Sequence, residues 1–220
     1  MTVRPLVGLL GGTFDPIHRG HLAVARASQR ALALDSVRFV PSARPPHRPD
    51  SPHASEYHRV QMIRLAVVEA TATADTRWEV SDLELHRQGP SYTFDTLAAL
   101  HREGLTALQI CFITGADAFA EIATWHRYPE VLDSAHFVVV SRPGTTLDHL
   151  QQRLPALASR MTYAHDAATA TTTQIVLVNA ATPDISSTDI RRVAARGESL
   201  EQFVTPAVAA YIAQHSLYRP

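Results

Sequence analysis

Short continuous apolar runs alternate with longer segments of helical period along most of the chain. Leu6–Leu10, Val37–Val40, Leu108–Ile113, Ala135–Val140 and Ile175–Val178 are predominantly apolar runs, interrupted only by Arg38, Gln109 and His136. Strands of a parallel sheet covered on both faces read this way, whereas a half-exposed strand alternates apolar and polar positions. Trp78–Ser81 reads as a further short strand. Between the runs lie helical stripes. Val24, Ala27, Ala31 and Leu34 recur at i, i+3, i+7 and i+10, and Val60, Ile63 and Val67 at i, i+3 and i+7. Phe94, Leu97 and Ala98 form a third stripe, with Gly104 at the place where a helix commonly stops. Thr205-Pro206 reads as an N-cap followed by proline at the first helical position, with Val208, Tyr211, Ile212 and His215 on one face.

Strand and helix in this rhythm imply right-handed βαβ units and an α/β fold with a doubly wound, mainly parallel sheet. The whole of 1–220 reads as one domain, with a helical C-terminal part over about 184–220. Ligands of such sheets bind beyond the carboxyl ends of the strands. Gly11–His21, Pro41–His53 and Thr114–Asp117 therefore converge on one edge. Pro41–His53, with five prolines and two histidines, reads as a mobile or ligand-covering loop. The Ala/Thr-rich stretch Thr162–Thr173 reads as a peripheral connection.

Composition narrows the function. At 45% hydrophobic residues over 220 positions the chain can bury a sizeable core. A net charge of −1 provides no global basic field, which speaks against a nucleic-acid partner. The apolar run near Met1 is too short for a signal peptide, and no run reaches membrane length, so a cytoplasmic protein without a membrane partner is expected. Self-association is not legible from the sequence. The single cysteine, Cys111, lies in an apolar run and reads as a buried, inert thiol. All 20 basic residues are arginines, so no lysine can bind phosphate or act as nucleophile.

The segment Gly11-Gly12-Thr13-Phe14-Asp15-Pro16-Ile17-His18-Arg19-Gly20-His21 carries the chemistry. Two glycines after a buried strand let the backbone turn and approach a ligand. N–H groups of the turn and of the following helix N-terminus make an anion site. Gly20 leaves room beside His18 and His21, whose imidazoles can face one phosphate and stabilise charge that grows there. A P-loop needs Gly-Lys-Ser/Thr and is excluded, and the glycine spacing does not fit the dinucleotide fingerprint.

Gly12, Phe14, Pro16, His18, Gly20 and His21 match the G-x-F-x-P-x-H-x-G-H signature, so the segment resembles the nucleotidyltransferase superfamily. Ile185-Ser186-Ser187-Thr188-Asp189-Ile190-Arg191 looks like its I-S-S-T-x-I-R element. Ser187 or Thr188 is expected to cap a helix that ends at Gly197, with that N-terminus and Arg191 gripping the β- and γ-phosphates. The resemblance implies a Rossmann-like fold, with His18, His21 and Arg191 catalytic. It places ATP on Gly11, Gly12, Thr13, Phe14, His18, Gly20, His21, Ser187, Thr188 and Arg191.

Pro45-Pro46-His47-Arg48, Pro90-Ser91-Tyr92-Thr93, Gly115-Ala116-Asp117, Thr124-Trp125, Arg142-Pro143-Gly144 and Leu217-Tyr218-Arg219 further resemble the bacterial nicotinate-nucleotide adenylyltransferases, in that family's order. The resemblance implies ATP and nicotinate mononucleotide as substrates, nicotinate adenine dinucleotide and pyrophosphate as products, and a role in NAD biosynthesis. It implies Mg²⁺ carried mostly by the nucleotide and water, because no carboxylate cage is legible. Trp125 would stack on the pyridine ring, donors around Tyr92 and Thr93 would meet its carboxylate, and Asp117 would contact ribose. Asp15, His47, Arg48 and Arg142 complete the set expected at the mononucleotide. His126 and Ser42 depart from the family's usual residues. An adenylyltransferase for nicotinamide mononucleotide or phosphopantetheine and a non-catalytic nucleotide sensor stay open as alternatives.

Overall fold

The computed structural model describes residues 4–46, 51–72, 76–141, 147–163, 167 and 169–219, with the side chains of 148 and 149 set aside. The strands are β1 (Val7–Gly12), β2 (Ser36–Pro41), β3 (Trp78–Val80), β4 (Ile110–Gly115), β5 (His136–Val140), β6 (Met161–Thr162) and β7 (Ile175–Val178). The helices are α1 (Arg19–Leu32), α2 (Glu56–Thr71), α3 (Thr93–Arg102), α4 (Ala116–Phe119), α5 (Leu147–Arg153), α6 (Ser187–Ala195) and α7 (Pro206–Gln214). The strands form one sheet in the order β3-β2-β1-β4-β5-β7-β6, and every neighbouring pair is parallel.

This is the doubly wound sheet that the apolar runs predict. Successive side chains of each strand feed two separate cores, as the period of two requires. Leu10, Phe39, Ile113 and Val138 join one core with residues of α1, α2, α6 and α7. Leu9, Val40, Phe112 and Phe137 join the other with Leu97 and Leu100 of α3. The strand order reverses between β1 and β4, so the crevice expected of an open α/β sheet opens above their carboxyl ends.

Three expectations shift. β6 was not foreseen, because two residues carry no periodicity. The deepest line on α1 is Leu22, Ala25 and Leu32, while Val24, Ala27 and Ala31 are only partly buried. Thr205 is the N-cap of α7 by position but makes no side-chain capping bond; Glu69 of α2 instead accepts from the Ala207 N–H at 3.1 Å. Gly104 and Gly197 do follow α3 and α6, with φ of 98° and 71° that favour glycine.

Candidate active site

The glycines of the nucleotide segment are strand residues. β1 runs to Gly12, with Gly11 opposite Val40 and Gly12 opposite Pro41. The reversal comes two residues later, at Phe14, with φ of 50°. A bulky residue in the left-handed region costs about 1–3 kcal/mol unless its surroundings fix it. Here they do. The Phe14 ring is buried, packs 4.9 Å edge-on to His21 and lies close to Phe39. A Cβ on Gly12 would come within 3.1 Å of that ring, so glycine is needed for the close approach.

Three side chains from two helices hold the carbonyls of the turn. Arg59 of α2 donates to the Thr13 carbonyl at 2.7 Å, Arg191 of α6 to that of Asp15 at 2.8 Å, and Ser187 to that of Pro16 at 3.0 Å. Arg59 is fully buried, and burial lowers its pKa. The buried Asp15 carboxylate accepts from the His53 and Ala54 N–H groups at 2.7 and 3.1 Å and from the Tyr218 hydroxyl at 2.8 Å. Burial, with Asp15 beside it, pushes the Tyr218 phenol far up.

His18 and His21 start α1 as a reciprocal cap. The His21 N–H donates to His18 Nδ1 at 3.4 Å, and the His18 N–H donates to His21 Nδ1 at 3.3 Å. Their rings stack with centroids 3.7 Å apart. An Nδ1 that accepts cannot carry the proton of the neutral ring, so the pattern assigns that proton to Nε2 on both. A Cβ on Gly20 would lie 3.0 Å from the His18 ring, so the stack depends on this glycine as well.

These residues border a cavity of about 410 Å³ above the crevice between β1 and β4. Its lining includes Gly11–Thr13, His18, Gly20, His21 and the stretch Thr182–Ile185. It also includes Phe112–Gly115, Glu84, Ser91–Thr93, Trp125 and His126. Trp125 is half-buried. Its ring meets Phe112 edge-on at 5.9 Å and Phe137 at 6.2 Å, so one side rests on the second core. The His126 ring stacks on Tyr92 at 4.3 Å. Tyr92 is the N-cap of α3 and makes no side-chain capping bond, and Asp95 lies in the first turn.

The cavity thus unites Gly11, Gly12, Thr13, His18, Gly20, His21, Tyr92, Thr93 and Trp125. Phe14, Ser187, Thr188 and Arg191 are not among the lining residues; Ser187 and Arg191 hold the turn, and Arg191 also bonds to the exposed Thr188 hydroxyl at 3.2 Å. The cap of α6 is Ser186, which accepts from the Asp189 N–H at 3.1 Å; the expected cap at Ser187 or Thr188 is off by one or two residues, because Ser187 already turns to Pro16. Asp15, expected at the mononucleotide, is corrected to a support of the turn, since chain partners engage both its carboxylate oxygens. Asp117 is exposed on α4, beside the lining residue Ala118. His47, Arg48 and Arg142 lie outside the described residues. Glu84 and Thr182–Ile185 were missed. They have no pattern of their own and reach the cavity only through the tertiary fold.

Residues 9–193 match the cytidylyltransferase-like family model. A relative from Roseiflexus sp. strain RS-1, named "Probable nicotinate-nucleotide adenylyltransferase", is 42% identical over 213 residues, covering 97% of this chain and 98% of its own. One of the same name from Pseudomonas syringae pv. tomato is 40% identical, covering 100% and 96%. Among solved structures, the Plasmodium falciparum nicotinic acid mononucleotide adenylyltransferase complexed with APC superposes with a TM-score of 0.73 over 98% of both chains at 18% identity, a likeness of fold. Family model, full-length relatives and the paired-histidine cavity agree: the chain belongs to the cytidylyltransferase-like family and, within it, to the nicotinate-nucleotide adenylyltransferases.

Proposed function

We propose that this protein transfers the adenylyl group of ATP to nicotinate mononucleotide, giving nicotinate adenine dinucleotide and pyrophosphate in NAD biosynthesis. The observation that carries the reading is a cavity lined both by the stacked His18–His21 cap and by Tyr92 and Thr93 at the N-terminus of α3. The first suits a triphosphate and the second an acceptor that bears a carboxylate. The mononucleotide phosphate oxygen attacks the α-phosphorus in line; the bond from that phosphorus to the bridging oxygen breaks, and pyrophosphate leaves. Catalysis is then positioning and charge stabilisation. His18 and His21 donate from Nε2 to the α- and β-phosphates. Arg191 keeps its bonds to Asp15 and Thr188 while its remaining N–H groups reach the leaving pyrophosphate, since a guanidinium has donors beyond these two.

Trp125 supports the pyridine ring, and Tyr92 and Thr93 present the α3 amides to its carboxylate. Asp117 serves the ribose, and His47, Arg48 and Arg142 the phosphates. Mg²⁺ would arrive on the triphosphate and offset charge on the departing pyrophosphate. No helix among the described residues is long and apolar enough to cross a membrane.

Pyrophosphate release from ATP with nicotinate mononucleotide, run in parallel with nicotinamide mononucleotide, tests the reading. Faster turnover of the acid is expected. Turnover of neither acceptor by folded protein would overturn it.

A further inference from the structure

Arg59 of α2 is a fully buried cation behind the nucleotide turn. It stands on the core-facing stripe of its helix, with Met62, Ile63 and Ala66 at i+3, i+4 and i+7. Apolar residues fill those other places. A buried guanidinium costs free energy unless its N–H groups are paired. Here Nη1 donates to the Thr13 carbonyl at 2.7 Å. Nε and Nη2 are buried without a hydrogen-bond partner among the described residues. An apolar side chain would serve packing better, so the bond to Thr13 is what this arginine adds.

That bond fixes more than one oxygen. The Thr13 carbonyl belongs to the planar peptide that links Thr13 to Phe14, so its direction sets ψ of Thr13 and φ of Phe14 together. Phe14 has φ of 50°, a region that a bulky residue keeps only where its surroundings hold it. Its ring is 1% exposed and meets the His21 ring edge-on at 4.9 Å. His21 lines the cavity and stacks on His18. A chain of contacts thus runs from Arg59 through Thr13 and Phe14 to His21. Arg191 and Ser187 hold the carbonyls of Asp15 and Pro16, which come after Phe14, so neither fixes this peptide. Without Arg59 the peptide is free to rotate, Phe14 can return to negative φ, and its ring then leaves His21.

We propose that Arg59 is a positioning residue of nucleotidyl transfer: it holds the Thr13–Phe14 peptide so that the Phe14 ring keeps His21 aimed at the phosphates. The inference rests on the proposed role of His21 and adds to it a residue of α2 that touches no substrate. Arg59 is not among the residues that line the cavity, so its effect reaches the reaction only through the turn. The nearby Asp15 carboxylate is held by His53, Ala54 and Tyr218, and none of those three bonds involves Arg59. A displaced catalytic donor lowers kcat and leaves the acceptor's contacts alone. A general loosening of the fold would instead act alike whether or not His21 is present.

The test is steady-state turnover of ATP with nicotinate mononucleotide in wild type, Arg59→Met, His21→Ala and the double variant. Methionine keeps a long unbranched side chain in the core and offers no donor. In Arg59→Met that is folded by circular dichroism and a cooperative melt, kcat should fall about 10- to 100-fold, the scale of a misplaced catalytic group. The KM for nicotinate mononucleotide should stay within about twofold, since the acceptor's contacts are untouched. In the His21→Ala background the same substitution should change kcat by less than about threefold, because residues of one contact chain are not additive. Equal losses in both backgrounds, or full turnover in folded Arg59→Met, overturn the proposal. Where Arg59→Met does not fold, Phe14→Leu takes its place. It keeps an apolar side chain in the core, removes the edge contact, and should be slow alone and silent beside His21→Ala; a loss that persists in full there overturns the proposal. If wild type turns over neither nicotinate nor nicotinamide mononucleotide, the proposed function fails, and this inference with it. If wild type is active and the losses add, only the inference fails.

Discussion

At the scale of single residues, the nucleotide end depends on which nitrogen each imidazole uses for the cap. Both Nδ1 atoms accept from the backbone at the start of α1. In the proposed mechanism the chemistry therefore falls to Nε2, and removing a ring would affect cap and catalysis separately. His21→Ala should lower kcat by on the order of 10²–10³, the cost of one oxyanion donor. Its cost in stability should stay near 1 kcal/mol, the usual worth of a helix cap. Steady-state kinetics beside thermal melts separate the two effects, and near wild-type turnover in a folded variant would remove His21 from the mechanism. The pairing of the two histidines was legible because a spacing of three at a helix start brings both side chains to one cap. Asp15 was misread for the opposite reason. Its partners His53, Ala54 and Tyr218 come from distant parts of the chain, and nothing in its neighbours announces burial.

At the scale of elements, the turn after β1 is braced from three directions, by α2 through Arg59, by α6 through Arg191 and Ser187, and by the chain beyond α7 through Tyr218. Tyr218→Phe keeps the ring and removes one donor to a buried carboxylate, so it should cost about 1.5–3 kcal/mol, the range for hydrogen bonds to charged groups. The urea midpoint measures this, and an unchanged midpoint would show that the contact adds no net stability. Helices with strong stripes and glycine stops were legible. Their caps were not: the sequence around α6 offers Ser186, Ser187 and Thr188 in a row, and only the position of the Pro16 carbonyl decides which one caps. For α7 the capping acceptor comes from another helix altogether.

At the scale of the whole molecule, the apolar runs sufficed for a parallel sheet with helices on both faces, because a strand buried on both sides has no polar face to hide the signal. They could not reveal β6, nor that Glu84 and Thr182–Ile185 would close the cavity, since those depend on how distant segments pack. Deep burial also governs Cys111, whose thiol is pushed up to about 12. A thiol reagent should therefore leave the native protein unmodified near neutral pH and label it only on unfolding. Rapid native labelling would show that the centre of the sheet opens.

The two cores separated by that sheet underlie different parts of the cavity wall. The histidine turn rests on the core that contains Phe14, Ile17, Leu22 and Ile190. Trp125 and the inner face of α3 rest on the other, with Phe112, Phe137 and Leu97. On the proposed assignment of Trp125 to the acceptor and of His18 and His21 to the donor, repacking beneath Trp125 would act from a different core than the one that carries the histidine turn. A site built on one core has no such partition. Acceptor choice could then drift one side chain at a time while the packing beneath the donor residues is kept.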